Sequence, residues 1–186
     1  MRYRSPTILV LPLLALAACR STPSQAPPTP VARVVSARPV QQAEAVLASA
    51  SGSLVSGRVV LRPALQGIRL TGTVGGLRPG AVSGFDLHER GDCSAVDASS
   101  AGAHFSPSGG PHSGAHPLRD MENLRADAEG VVHLDMIVSG ISLGDGARTD
   151  VVGKSLIVQT DVDDDRRQPG SNAGARLACG VIRVMQ

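Results

Sequence analysis

The sequence has no tryptophan, one tyrosine and two phenylalanines in 186 residues. Any core must therefore be aliphatic, built from Val, Leu, Ile and Ala. Charge is also sparse: 18% of residues are charged, with 18 Lys and Arg against 16 Asp and Glu. No basic run with interleaved aromatics occurs, so the footprint of a nucleic-acid-binding surface is missing. Beyond the N-terminal apolar run Ile8 to Ala18, no stretch is long and apolar enough to span a bilayer. Sustained helical periodicity is absent too, and the chain predicts no helix of convincing length. Cysteine occurs three times, at Cys19, Cys93 and Cys179.

What is present begins with Arg2 and Arg4, the apolar run, and Leu16-Ala17-Ala18-Cys19. A charged start, an apolar middle and a small-residue end make residues 1–18 a bacterial signal peptide. The cysteine that follows makes the end of it a lipobox, with Cys19 the lipidated residue. A free N-terminal thiol outside the cytoplasm would otherwise lack an explanation. Arg20 rather than an aspartate follows, so the outer membrane is the expected address within the cell envelope. Removal of residues 1–18 takes two arginines and no acid, leaving 16 basic against 16 acidic residues and no net charge. Residues 19–45 are rich in Pro, Ala, Ser and Thr and read as a tether between lipid and domain. Residues 46–186, about 140 in number, suffice for one domain with its own core.

Within that domain the period is two. Leu54 to Leu61, Gly67 to Val74, Gly84 to Glu89, Val131 to Val138, Ser155 to Gln159 and Leu177 to Val184 predict strands. Gly75-Gly76-Leu77-Arg78-Pro79-Gly80 is a turn. Arg90 to Asp120 and Asp161 to Ala175 show no sustained period and predict two long loops. The fold class is all-β, an antiparallel sandwich or barrel.

The chemistry concentrates at Gly84-Phe85-Asp86-Leu87-His88-Glu89-Arg90-Gly91-Asp92-Cys93. On a strand Asp86 and His88 share a face, and Phe85 and Leu87 take the other. A carboxylate beside an imidazole is a candidate ligand pair. Four of the five histidines, His88, His104, His112 and His116, fall in one window that closes with Asp120. The remaining one, His133, sits mid-strand away from the cluster and reads as structural or exposed.

At these residues the chain resembles the bacterial secreted form of the copper/zinc superoxide dismutases. The stretches that carry the likeness are Gly84 to Cys93, Gly102-Ala103-His104-Phe105-Ser106-Pro107 and Ser171-Asn172-Ala173-Gly174-Ala175-Arg176-Leu177-Ala178-Cys179-Gly180-Val181-Ile182. They correspond to the family's Gly-Phe-His-Val-His-Glu, Gly-Asp-Cys, Gly-Gly-His-Phe-Asn-Pro and C-terminal Gly-Asn-Ala-Gly motifs. The resemblance implies an eight-stranded Greek-key barrel. It also implies a disulfide between Cys93 and Cys179, tying the long loop to the last strand.

The same resemblance places ligands. On the zinc side it points to His104, His112, His116 and Asp120, with Asp163 as a further carboxylate that orients ligand histidines. The spacings depart from the family, since His116 follows His112 by only four residues and Asp120 follows His116 by four. Zinc is nevertheless the ion expected there. On the copper side the family has four histidines, at the positions held here by Asp86, His88, His104 and Gln159. Only His88 and His104 remain. A hard carboxylate and a neutral amide stand for the other two imidazoles, which leaves copper binding open. Asp86, His88 and His104 also have the composition of a two-histidine, one-carboxylate iron site, though no co-substrate pocket accompanies it. Arg176 matches the arginine that guides superoxide in the family, and it has a structural reading as a holder of loop carbonyls.

The expected protein is thus an envelope lipoprotein of this family, zinc-stabilised, with weak or absent dismutase activity and a role in metal handling or in binding a partner. Two alternatives stand beside it. One is a working dismutase with an unusual copper set, acting on superoxide; the other is a metal-free binding module. Membrane attachment would run through the lipid, and a homodimer or an unidentified protein partner is open to either form.

Overall fold

Alternation builds most of the sheet. The computed structural model describes residues 39–107, 121–161 and 174–185. Its strands are β1 (Ala43–Ser49), β2 (Ser56–Ala64), β3 (Gly67–Gly75), β4 (Val82–His88), β5 (Leu124–Arg125), β6 (Val132–Val138), β7 (Ser155–Gln159) and β8 (Arg176–Val184). In β3 the side chains Ile68, Leu70 and Val74 are buried while Arg69 and Thr73 are exposed, as a two-residue period requires. β6 repeats the pattern with Val132, Leu134 and Val138 inside and His133 exposed.

All strand pairs are antiparallel, in the order β5-β4-β7-β8-β1-β2-β3-β6. The pairings of β3 with β6 and of β4 with β7 pass over intervening strands, which is the Greek-key connection. The two ends of this order, β5 and β6, approach each other, so the sheet curls into a nearly closed eight-stranded barrel. No α-helix occurs among the described residues; a single 3-10 turn spans Ser99–Ala101.

The barrel core is aliphatic apart from Phe85 and Phe105, both buried in it. It gathers Leu47, Val59, Leu61, Leu70, Leu87, Leu134, Leu156, Val158 and Ile182 from seven of the strands. The first strand starts at Ala43, inside the Pro-, Ala- and Ser-rich segment, and buries Ala43, Ala45 and Leu47. The two-residue β5 pairs with Val82 and Ser83 at the end of β4. Cys93 and Cys179 form a disulfide, with Cα atoms 5.7 Å apart at a sequence separation of 86.

β4 and β7 differ from the others in being buried on both faces. In β7, Leu156 and Val158 enter the barrel core, while Ile157 joins a second apolar cluster with Ala50, Ala98, Ala101 and Cys179. The loop after β4 therefore lies over the outer face of these two strands, and the candidate site forms in that layer.

Candidate metal centre

Strand parity decides which side chains meet. Phe85 and Leu87 of β4 go to the core, so Gly84, Asp86 and His88 take the outer face. In β7, with Leu156 and Val158 inside, Ser155, Ile157 and Gln159 take the same outer face. Gly84 pairs with Gln159, Asp86 with Ile157 and His88 with Ser155. Gln159 is thus diagonal to Asp86 across the ladder, within reach of a long side chain.

His104 arrives from the loop. The Glu89 N–H donates to the Ala103 carbonyl (2.9 Å), the Arg90 N–H to the Ala101 carbonyl (3.0 Å) and the Phe105 N–H to the Leu87 carbonyl (2.7 Å). These bonds lay residues 101–105 antiparallel beside the end of β4 and make a bridge between His88 and His104. Burial of Phe105 in the core anchors the segment. The two imidazoles end edge to face, with ring centroids 4.8 Å apart and planes at 75°.

Arg176 reaches the site through an irregularity. The β7–β8 register shifts between Val158 and Gln159, so Gln159 pairs with Arg176. Leu177 and Ala178 both pack on the core, which is the signature of a bulge and turns Arg176 to the loop side. Its guanidinium donates to the Ala98 carbonyl (2.7 Å) and the Gly102 carbonyl (2.8 Å). Burial lowers its pKa against the attraction of Asp97, yet a guanidinium remains charged in a protein.

His88 is fully buried, with 0% of its surface exposed. Its Nδ1–H donates to the Gly102 carbonyl at 3.0 Å. A carbonyl only accepts, so the proton lies on Nδ1 and the lone pair on Nε2. That Nε2 is buried and has no hydrogen-bond partner among the described residues. Burial, opposed by the Gly102 bond and reinforced by His104 and Arg176, pushes the imidazole down to about 3. His88 is therefore neutral at pH 7, the form that ligates metals.

Gln159 is 2% exposed. Its amide nitrogen lies 3.0 Å from Asp86 Oδ2 and 3.4 Å from His104 Nε2. An ionised carboxylate only accepts, so the amide must turn its NH2 towards Asp86, and its second N–H then meets the His104 ring. Gly84 admits the Asp161 carbonyl, to which its N–H donates (3.1 Å) and which a Cβ there would meet at 2.7 Å.

The sequence-predicted residues Asp86, His88, His104, Gln159 and Arg176 thus share one corner, behind the loop that the Cys93–Cys179 bridge fastens to β8. Copper does not fit their arrangement. No three His, Cys, Asp or Glu side chains among the described residues are placed to hold a metal ion. This also corrects the two-histidine, one-carboxylate set of Asp86, His88 and His104, two of whose members, Asp86 and His104, meet the Gln159 amide instead. Cys19, His112, His116, Asp120 and Asp163 lie outside the described residues. Pattern reading overlooked the Gly102 and Ala98 carbonyls, since a backbone acceptor leaves no residue type to recognise. The signal for Gly102 is its position two residues before His104, and the structure gives it a left-handed φ of +79°.

Comparison with known proteins decides the family. The copper/zinc superoxide dismutase family profile matches residues 55–182. The chain belongs to the copper/zinc superoxide dismutase family. It is 32% identical over 154 residues to a copper/zinc superoxide dismutase of Aquifex aeolicus, covering 76% of this chain and 86% of that one. A superoxide dismutase-like protein of Bacillus subtilis is 28% identical over 191 residues, covering 97% and 96% of the two chains. The solved structure of a double mutant of a superoxide dismutase-like protein from that organism superimposes with a TM-score of 0.66 at 30% identity, covering 75% of this chain and 96% of the other. Family members in general bind copper and zinc, so the Asp86–Gln159 pair is a departure at the copper corner of a superoxide dismutase barrel.

Proposed function

We propose that this superoxide dismutase-family protein is an envelope lipoprotein that binds zinc and dismutates superoxide weakly or not at all. The observation that carries the reading is the Gln159–Asp86 hydrogen bond of 3.0 Å. Dismutation alternates an electron gain and an electron loss at one redox metal, and imidazoles suit both of its oxidation states. A carboxylate and an amide, bonded to each other, stand where two of those imidazoles would be. What remains, a neutral His88 lone pair beside His104, is half of the expected set.

The zinc ligands, by residue type and by the family resemblance, are His104, His112, His116 and Asp120, with Asp163 as the supporting carboxylate. The residue types are right for a tetrahedral ion. Arg176 serves as a clamp on the loop, donating to two carbonyls rather than standing free for an anion. The lipobox at Cys19 and the Pro-rich segment after it support attachment to the envelope, the outer membrane in particular. Metal handling or a protein partner is the role left to such a scaffold.

The test loads the mature domain with copper and zinc and measures superoxide consumption and metal content together. Zinc bound near one equivalent, with superoxide consumption at background, supports the reading. Consumption at the level of an ordinary family member overturns it.

A further inference from the structure

Charge is segregated along the chain. Residues 45–85 hold four arginines, Arg58, Arg62, Arg69 and Arg78, and no acid, although residues 19–186 as a whole balance 16 basic against 16 acidic groups. β2 and β3 lie within this stretch, so their hairpin is wholly basic. Arg62 faces Arg69 across its ladder, a like-charge pair that destabilises a sheet. Asp135 of β6 takes up Arg69 with two hydrogen bonds (2.7 and 2.6 Å). Arg62 has the neutral Gln42 amide oxygen instead (3.0 Å). Arg183 pairs in register with Glu44, but the Glu44 carboxylate bonds to Arg58. Neither Arg62 nor Arg183 is in an ion pair among the described residues. Asp145 and Asp150, in the loop after β6, accept from backbone N–H groups of that loop.

The tip of the hairpin is apolar. Leu65 and Gln66 form a two-residue turn between the paired Ala64 and Gly67. Turns favour Gly, Asn and Asp, yet Leu65 stands there fully exposed. Ile137, the ladder neighbour of Arg69, and Val184, the ladder neighbour of Ala43, are half exposed at the same end of the barrel. The covalent route towards Cys19 starts at this end too. Gln42 precedes β1, and its carbonyl accepts from the Met185 N–H (3.1 Å) beyond the end of β8. Val40 packs on the core. From there the 20 residues 19–38 lead back to the lipidation site, a span of at most about 70 Å.

We infer that this end of the barrel rests on an anionic phospholipid surface, with Leu65 entering the boundary between headgroups and acyl chains and Arg62 and Arg183 meeting lipid phosphates. The inference rests on the reading of the chain as an envelope lipoprotein, and it adds which way the domain faces on the membrane. Exposed arginines beside an apolar tip are the pairing that an anionic interface rewards. Each arginine near such a surface strengthens binding about fivefold, and burial of a leucine side chain at least about tenfold. These gains are modest alone. A tether of bounded length keeps the domain near the bilayer, so a weak face contact is populated.

The absence of tryptophan supplies the probe. Leu65→Trp puts an indole at the tip. Leu54→Trp puts one beyond the other end of β2, about 30 Å away, where Leu54 is also exposed. Each lipidated variant is reconstituted into vesicles of phosphatidylethanolamine and phosphatidylglycerol. The Leu65→Trp emission should shift to the blue and be quenched by bromine on the acyl chains, while the Leu54→Trp emission does neither. Equal behaviour of the two overturns the inference. Adding Arg62→Gln and Arg183→Gln to Leu65→Trp, or using phosphatidylcholine alone, should reverse the shift; insertion that ignores both overturns it as well. So does a blue shift that grows with protein concentration in the absence of vesicles, which assigns the tip to a second copy of the chain. All four substituted residues are exposed, and circular dichroism checks that each variant folds. Lipidation is read separately, from the mass of the N-terminal peptide. An unmodified Cys19 removes the lipoprotein reading alone. The free chain is then titrated with the same vesicles, where the double arginine variant should partition about 25-fold less, fivefold for each charge lost. No difference there overturns the docking face by itself.

Discussion

Lowering the pH should weaken the fold through His88 before any carboxylate is affected. The imidazole is 0% exposed, and burial holds it down to about 3, against about 6.5 in the unfolded chain. Its folded-state pKa is depressed, so between these values the unfolded chain binds a proton that the folded chain refuses. Stability is then greatest above pH 6.5 and falls as pH drops towards 3, by about 1.4 kcal/mol per pH unit. Between pH 7.5 and pH 5 the loss comes to about 2 kcal/mol. Asp92, Asp97 and Asp135 are lowered carboxylates; they weaken the fold only below their unfolded value near 4, outside this window. The assay is urea unfolding of metal-stripped protein at pH 7.5 and 5.0, beside His88→Gln, whose amide can still donate to the Gly102 carbonyl. The gap between the two proteins should shift by about 2 kcal/mol in favour of the variant at pH 5. Parallel behaviour at both pH values would refute a neutral, buried His88.

Replacing Cys93 and Cys179 by serine opens a loop of 86 residues and should lower unfolding stability by at most about 4–5 kcal/mol, read from urea midpoints. Arg176→Ala removes the donors to the Ala98 and Gly102 carbonyls; a loss of about 2 kcal/mol, with faster amide exchange over residues 93–102, is expected, and Arg176→Lys should recover little because a single ammonium cannot fork to both. Phe85→Ala empties one of the two aromatic positions in the aliphatic core and should cost about 3–5 kcal/mol by thermal or urea unfolding.

Much of this was legible from period and parity. The alternation at Ile68, Leu70 and Val74 became the buried face of β3, and the shared face of Asp86 and His88 followed from their two-residue spacing. β1 was harder to see because Ala43 and Ala45 carry its buried face, and alanine signals neither strand nor core. β5 is two residues long and exists by pairing with Val82 and Ser83, which no local pattern announces. The motifs brought the copper-corner residues together, yet the bond between Gln159 and Asp86 depends on a diagonal across two strands 73 residues apart. Reading it required the β4–β7 register, and the bulge that swings Arg176 over the loop required the β7–β8 register.

One backbone oxygen links these parts. The Gly102 carbonyl accepts from the His88 ring and from the Arg176 guanidinium, so both its lone pairs are spent, and Arg176 stands three residues from the bridged Cys179. The redox state of the half-buried bridge is thereby mechanically coupled to an aromatic ring sealed inside the protein. A nuclear magnetic resonance signal from the His88 imidazole should act as an internal reporter, moving when a reductant severs the crosslink although no reagent touches the ring.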